Sequence, residues 1–204
     1  MSKIKICGLS RQQDIETVND ILPDYIGFVF AKSRRQVSSD TAKALKDKLN
    51  PSIKAVGVFV NEEIEHIVSL CKSHTIDIIQ LHGDEDADYI KELKRYVPNK
   101  IIKAVRVITS EDIIRANEFH SDYLLLDAYH EEQYGGSGKT FDWSMISNIS
   151  KPYFLAGGID TNNILQAQIQ CNPFCLDVSS GVETDGYKDA NKIIDIVTKI
   201  RSVR

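Results

Sequence analysis

The chain has 204 residues, enough for one large domain or two small ones. Its 25 Lys and Arg residues against 29 Asp and Glu give a net charge of -4, which argues against nucleic-acid binding because such proteins carry a basic face. No apolar run is long enough to span a bilayer, and the amino terminus enters a strand pattern without the apolar stretch of a signal peptide. We therefore predict a cytoplasmic protein with neither a membrane nor a nucleic-acid partner.

Eight short apolar runs alternate with amphipathic segments along the chain. The predicted strands are residues 3–7, 25–30, 55–60, 76–81, 101–107, 123–126, 153–156 and 174–178. A helix is predicted after most of them, with Ser10 capping the first helix and Asp160 or Thr161 capping the one after the seventh strand. The sixth helix, residues 142–149, is short.

Alternation of strands and helices implies a parallel sheet with right-handed crossovers. Eight such units fit a closed (β/α)₈ TIM barrel better than an open sheet, although the length is near the lower end for that fold. No linker or change of composition divides the chain. We predict one α/β barrel domain over residues 1–204.

The polar residues that could react lie where the predicted strands stop, which is the catalytic face of such a barrel. They are Cys7, Arg34, Arg35, Asn61, His82, Arg106, Asp127, Gly157, Gly158, Asp177, Ser179 and Ser180. The four cysteines show no spacing typical of a zinc site, and His82 has no set of partner ligands, so we predict no metal.

The last two strand tips are rich in small residues. Gly157 and Gly158 follow the seventh strand, and Ser179, Ser180 and Gly181 follow the eighth. In barrels these two tips often bind phosphate through backbone N–H groups, and glycine lets the backbone approach an anion closely. The alternative is two ordinary turns, but small residues at both tips together favour a phosphate site.

Cys7 and Asp127 offer two groups for proton transfer. A buried structural cysteine is the usual case, yet Cys7 ends a strand beside Gly8 and could face the mouth of the barrel. A thiol with an ordinary pKa of about 8.5 is a poor base unless cations lower it. One group that takes a proton and one that gives it are the minimum for isomerisation by proton transfer.

Several other candidates each allow a functional and a structural interpretation. Arg34 or Arg35 could clamp a carboxylate bidentately or be solvated loop charges. His82 could be a general base or a structural residue. The run Gly138-Lys139-Thr140 is not a P-loop, because that motif needs a glycine where Gln133 stands. Lys139 either lies near an anionic substrate or merely solvates its loop.

Several separated motifs, in this order and spacing, resemble the phosphoribosylanthranilate isomerase family of tryptophan biosynthesis. They are residues 5–10, 27–30, 33–35, 56–61, 80–83, 126–127, 135–143 and 177–183. The resemblance spans nearly the whole chain.

The resemblance implies an Amadori rearrangement of a small-molecule substrate, N-(5-phosphoribosyl)anthranilate, without a metal or organic cofactor. It places the general base on Cys7, the general acid on Asp127 and the carboxylate-binding arginine on Arg35. Backbone around residues 157–158 and 180–181 would hold the phosphate, with His82, Asp177 and Ser179 also at the substrate. Asp127 would have to be protonated at the start of the reaction.

Two other hypotheses stay open from the sequence. An aldolase- or lyase-type barrel would need an inward lysine for a Schiff base, and Lys5 and Lys103 are the candidates. A barrel that only binds a phosphorylated ligand is the other. The sequence does not specify the oligomeric state.

Overall fold

Eight parallel strands close into a barrel in the order in which they occur along the chain, in a computed structural model that describes residues 2–128 and 140–202. The predicted TIM barrel is confirmed. The strands are β1 (Lys3–Cys7), β2 (Tyr25–Val29), β3 (Lys54–Phe59), β4 (Ile78–Leu81), β5 (Lys100–Val107), β6 (Tyr123–Ala128), β7 (Tyr153–Leu155) and β8 (Cys175–Val178).

Helices connect the strands and cover the outside of the barrel. They are α1 (Gln12–Ile21), α2 (Ser39–Lys46), α3 (Ile64–Lys72), α4 (Ala87–Tyr96), α5 (Ser110–Ala116), α6 (Ile164–Cys171) and α7 (Ala190–Ser202). Each buries an apolar stripe against the sheet, as Ile193, Ile196 and Val197 of α7 do. Within residues 2–128 and 140–202, no helix is both long and apolar enough to cross a membrane.

One helix prediction and two helix-cap predictions were wrong. Between β6 and β7, the described residues form only a short 3-10 helix, Trp143–Met145. Helix α1 starts after Arg11 rather than Ser10, because the Asp14 carboxylate accepts hydrogen bonds from both backbone N–H groups. Helix α6 begins after Asn163. The Asp160 side chain caps the turn that precedes this helix instead.

The interior of the barrel changes from apolar to polar along the strands. Alternate strand residues point inward, and the lower interior is filled by one apolar cluster: Tyr25, Val56, Ile78, Ile102, Ala104, Tyr123, Leu125, Phe154, Ala156 and Cys175. Above it lie Lys5, Gln80 and Asp177, which are also buried. In register, Lys5 of β1 is directly opposite Asp177 of β8. The polar layer therefore forms the floor of whatever site lies at the carboxyl ends.

A small antiparallel hairpin follows β8. It consists of β9 (Glu183–Thr184) and β10 (Tyr187–Lys188), with Glu183 paired opposite Lys188. Asp185 and Gly186 make the turn with positive φ angles of 51° and 84°. Glu183 contacts the loop after β2, so the hairpin connects two strand tips across the mouth of the barrel.

Candidate active site

A cavity of about 370 Å³ opens at the carboxyl ends of the strands. The predicted site residues that line it are Cys7, Arg35, His82, Asp127, Gly157, Gly158, Asp177, Ser179 and Ser180. Gly181 is not among the described residues of its lining. Of the ten residues that the family resemblance places at the substrate, nine therefore lie around one cavity. Arg34, Asn61 and Arg106, the other polar residues at the predicted strand ends, are not among the described residues of its lining.

Cys7 is the last residue of β1, and its side chain is nearly buried, with 8% exposure. A Cβ atom on the adjacent Gly27 would stand 2.6 Å from the Cys7 sulfur, so only glycine leaves room for the thiol. Burial raises the pKa of Cys7 above its ordinary value, although the Lys5 and Lys188 ammonium groups oppose this. The thiol form therefore dominates at neutral pH in the free protein.

Asp127 comes near the end of β6 and is 4% exposed. Its Oδ2 lies 3.1 Å from Nε2 of His82. Its Oδ1 faces the tip of β7, where a Cβ atom on Gly157 would stand 2.9 Å away. The two carboxyl oxygens thus have different neighbours, and a proton on one is not equivalent to a proton on the other.

A run of hydrogen bonds crosses the floor of the cavity. Lys5 Nζ donates to Asp177 Oδ2 at 2.8 Å and to Gln80 Oε1 at 2.7 Å. Gln80 Nε2 lies 2.8 Å from Nδ1 of His82, whose other ring nitrogen contacts Asp127. The positive charge of Lys5 also favours the thiolate form of Cys7 and so opposes the effect of burial on the pKa of that thiol. One buried cation therefore contacts groups that lead to both candidate catalytic residues.

The two interior lysines are engaged in ion pairs. Burial would lower the pKa of Lys5, but Asp177 and Cys7 outweigh this effect, and the pKa lies well above its ordinary 10.5. Lys103 Nζ is 2.8 Å from Glu85 Oε2. A Schiff-base lysine needs a neutral amine, and the environment of Lys5 favours the charged form. The aldolase-type alternative therefore loses support at Lys5.

Asp177 combines one bonded and one free oxygen. Oδ2 accepts from Lys5, whereas Oδ1 is buried with no hydrogen-bond partner among the described residues. Because an unpaired buried carboxylate oxygen is costly and Asp177 lines the cavity, Oδ1 is suited to accept a hydrogen bond from a ligand hydroxyl.

Arg35 is held by the hairpin after β8. Its Nε and Nη2 donate to the two carboxylate oxygens of Glu183 at 2.6 Å and 3.0 Å. Arg34 and Lys188 contact the same carboxylate. Burial would raise the pKa of Glu183, but hydrogen bonds from Arg35 and the charge of Lys188 place it below its ordinary 4.5. For Lys188, burial outweighs Glu183 and lowers its pKa.

These contacts place three basic side chains around one carboxylate at the mouth of the barrel. The excess of positive charge attracts anionic ligands. Glu183 occupies the edge of the Arg35 guanidinium formed by Nε and Nη2, so a ligand carboxylate would have to bind the other edge, formed by Nη1 and Nη2.

The tips of β7 and β8 approach each other closely. Asp160 and Gly181 form an isolated parallel bridge between the tips. A Cβ atom on Gly181 would stand 2.0 Å from the carbonyl oxygen of Ile159. Gly181 therefore lies behind the cavity and allows the tips to meet, while Gly157, Gly158, Ser179 and Ser180 line it.

Two sequence predictions remain, one on residues 135–139 and one on metal binding. The glycines at 135–138 and Lys139 lie outside the described residues, so no position is assigned to them. Within the described ranges, no group of three or more His, Cys, Asp or Glu side chains is placed to hold a metal ion.

The sequence interpretation gave no role to Gln80, Glu183 or Lys188. Gln80 stands two residues before His82, so the two side chains point to the same side of the strand. That spacing was the available signal for Gln80. The pairing of Glu183 with Arg35 joins residues 148 apart along the chain, and no local pattern indicates it.

Comparisons with known proteins identify the family. The model of the family described as "N-(5'phosphoribosyl)anthranilate (PRA) isomerase" matches residues 4–199. An N-(5'-phosphoribosyl)anthranilate isomerase of Endomicrobium trichonymphae is 48% identical over 203 residues and covers 100% of both chains.

Solved structures agree as well. The crystal structure of phosphoribosyl anthranilate isomerase from Thermotoga maritima superposes with a TM-score of 0.90 at 35% identity, with 100% of both chains covered. A phosphoribosyl anthranilate isomerase in complex with reduced 1-(o-carboxyphenylamino)-1-deoxyribulose 5-phosphate superposes with a TM-score of 0.86 at 32% identity, also over 100% of both chains. With the family model and these relatives matching essentially its full length, the chain belongs to the N-(5'-phosphoribosyl)anthranilate isomerase family.

Proposed function

We propose that this protein catalyses the Amadori rearrangement of N-(5'-phosphoribosyl)anthranilate to 1-(2-carboxyphenylamino)-1-deoxy-D-ribulose 5-phosphate, a step of tryptophan biosynthesis in the cytoplasm. Cys7 is the general base and Asp127 the general acid. The observation that carries the proposal is that both side chains line the same cavity in a chain of this family. The product analogue bound to a relative supports a small-molecule substrate of this kind.

The first step opens the sugar ring. Asp127 donates its proton to the ring oxygen as the bond between C1 and that oxygen breaks. The lone pair of the anthranilate nitrogen forms a C1=N double bond, which gives a positively charged iminium ion. Asp127 is left as a carboxylate, and the hydrogen bond with His82 at 3.1 Å is placed to stabilise that charge.

The second step moves a proton from carbon. The iminium charge makes the proton on C2 acidic, and the Cys7 thiolate removes it. The electrons of the C2–H bond form the C1=C2 bond, and the C=N electrons return to nitrogen, which gives a neutral enolamine. Loss of the C2 hydroxyl proton and gain of a proton at C1 then produce the ketone.

The ends of the substrate have complementary partners. The backbone around Gly157, Gly158 and Ser180 binds the phosphate, because glycine-rich tips expose N–H groups to an anion. Arg35 binds the anthranilate carboxylate with its Nη1 and Nη2 edge. Asp177 Oδ1, which no described residue satisfies, accepts from a ribose hydroxyl. Ser179 lines the wall between phosphate and Cys7, and its Oγ donates to the Cys7 carbonyl at 3.2 Å.

The test is a fluorescence assay that follows loss of phosphoribosylanthranilate with purified protein. We expect Cys7→Ser and Asp127→Asn each to lower kcat by a factor on the order of 10² to 10⁴, the usual contribution of a general acid or base. Cys71→Ser, at a buried thiol on α3, and Asp122→Asn, just before β6, are matched controls that should keep their turnover. Near wild-type turnover in a folded Cys7 or Asp127 variant would contradict the proposal.

A further inference from the structure

We propose that Gln80, oriented by Lys5, selects the imidazole tautomer of His82 that donates a hydrogen bond to Oδ2 of Asp127. Lys5 and Gln80 are then positioning residues that decide which oxygen of the catalytic acid carries the transferable proton. The inference rests on the proposed function for its catalytic consequence, but the tautomer itself is a property of the ligand-free protein.

The first step of the argument is the orientation of the Gln80 amide. An ammonium group has donors and no acceptor. Because Lys5 Nζ is 2.7 Å from the Gln80 side chain, the atom that faces it must be the carbonyl oxygen Oε1. Lys5 is fully buried and Gln80 is 1% exposed, so water does not offer the amide an alternative partner. The NH₂ group of Gln80 must therefore point the other way, toward His82.

The second step is the tautomer of His82. The amide NH₂ is a donor only, so Nδ1 of His82, at 2.8 Å, must be the acceptor. A neutral imidazole with an acceptor at Nδ1 carries its hydrogen on Nε2. That hydrogen points to Asp127 Oδ2 at 3.1 Å. Each group in the series Lys5, Gln80, His82 and Asp127 thus donates a hydrogen bond to the next.

The third step is the consequence for the acid. With Oδ2 accepting from His82, a proton bound to Asp127 is placed on Oδ1, the oxygen beside Gly157 on the cavity wall. In the opposite tautomer, the bare Nε2 would face Oδ2 and would draw the Asp127 proton to that oxygen, away from the substrate. Selection of the tautomer therefore directs the proton of the acid.

If Gln80 and His82 served only to hold the barrel together, each of their hydrogen bonds would connect different strands. Lys5 and Asp177 already join β1 to β8 through their ion pair, and that contact does not depend on Gln80. Gln80 does connect β4 to Lys5 of β1, and His82 connects the end of β4 to Asp127 of β6. The hydrogen bond between Gln80 and His82, however, joins two residues of the same strand end and adds no connection between strands. That bond is explained by the state of Asp127 rather than by closure of the barrel.

The experiment measures the tautomer directly. In protein labelled with ¹⁵N-histidine, two-bond ¹H–¹⁵N correlation spectra distinguish a ring nitrogen that carries a hydrogen from one that does not. The chain has five histidines, and the signals of His82 are assigned by their loss in His82→Gln. We expect the wild-type protein to show hydrogen on Nε2 and none on Nδ1. A hydrogen on Nδ1 of the wild-type protein would overturn the inference.

Gln80→Glu supplies the matched perturbation, because a carboxylate of the same shape offers Nδ1 an acceptor. We expect Nδ1 to gain a hydrogen and kcat to fall by about 100-fold, the lower end for loss of general-acid catalysis, while KM changes less than about threefold. Gln168→Glu, at a buried position of α6, is the control and should retain kcat. If Gln80→Glu does not fold, Gln80→Leu removes the donor, and both tautomers of His82 should then appear.

An unchanged tautomer or an unchanged kcat in the folded Gln80 variant would overturn the inference. A wild-type protein without isomerase activity would instead refute the proposed function. The two failures are distinguishable, because the His82 spectrum of the ligand-free protein reads the tautomer whether or not the enzyme turns over.

Discussion

Gly181→Ala tests whether the contact between the tips of β7 and β8 sets the geometry of the phosphate site. A Cβ atom at this position would stand 2.0 Å from the carbonyl oxygen of Ile159 and 2.9 Å from the Cα of Asp160. Real Cβ atoms rarely come within 3.0 Å of another heavy atom. Both obstacles are backbone, which cannot rotate away, so we expect the tips to separate by about 1 Å.

The separation should affect binding and stability by different amounts. A displacement of about 1 Å in a positioned substrate can cost on the order of 10² in rate, so we expect KM to rise 10- to 100-fold and kcat/KM to fall by about 100-fold. Overpacking of this kind costs about 2 kcal/mol. For a chain of this size, that corresponds to a Tm lower by about 4–8 °C.

The assay compares KM for phosphoribosylanthranilate and the calorimetric Tm of the variant with those of Gly57→Ala. A Cβ atom on Gly57 would meet the core side chains of Phe59 and Ile76 at 2.8 Å and 2.9 Å, away from the tips. This control should lose comparable stability and keep its KM. A Gly181→Ala protein whose KM stays within threefold of wild type would show that the tips do not hold the phosphate.

Three other predictions concern charged and titrating groups. Burial raises the pKa of Cys7, and the mechanism needs Cys7 as thiolate while Asp127 is protonated. In Asp127→Asn, whose side chain at 127 does not titrate, the residual kcat/KM should therefore rise between pH 7 and pH 9, and a flat profile in that variant would argue against Cys7. Glu183→Gln should lower the free energy of unfolding at pH 7 by about 3 kcal/mol, as for other broken buried ion pairs. The pKa of Glu183 is lower in the folded protein than its ordinary 4.5. The stability difference between wild type and Glu183→Gln should therefore be largest above pH 4.5 and should disappear as the pH falls through the pKa of Glu183 in the folded protein. Urea titrations at several pH values measure this difference. Arg35→Ala should raise KM more than it lowers kcat, and an unchanged KM would place the substrate carboxylate elsewhere.

The strand pattern of the sequence predicted the barrel because each strand is a run of residues buried on both faces. Parallel barrel strands are covered by helices outside and filled by side chains inside, so runs such as residues 123–126 are continuous apolar segments. The carboxyl ends of such strands all meet at one end. That topological rule alone placed Cys7, His82 and Asp127 around one cavity.

Contacts between distant residues were not predictable in the same way. The start of α1 depends on the Asp14 carboxylate, which accepts from the Arg11 N–H and replaces the Ser10 cap that local rules predict. Asp160, one of the two residues predicted to cap α6, instead caps the turn before that helix. Lys5 was considered only as a nucleophile, because its partner Asp177 lies 172 residues away. Buried charge in particular is intelligible only once its counterion is known.

The pairing of Lys5 with Asp177 also bears on the order of events during synthesis of the chain. Lys5 emerges from the ribosome with the first strand, and its counterion arrives only with the last. Until the ring of strands is sealed, that ammonium has no carboxylate beside it, and desolvating it alone would be unfavourable. A nascent chain therefore gains little by compacting this end of the barrel early, and we expect the catalytic centre to form late in folding.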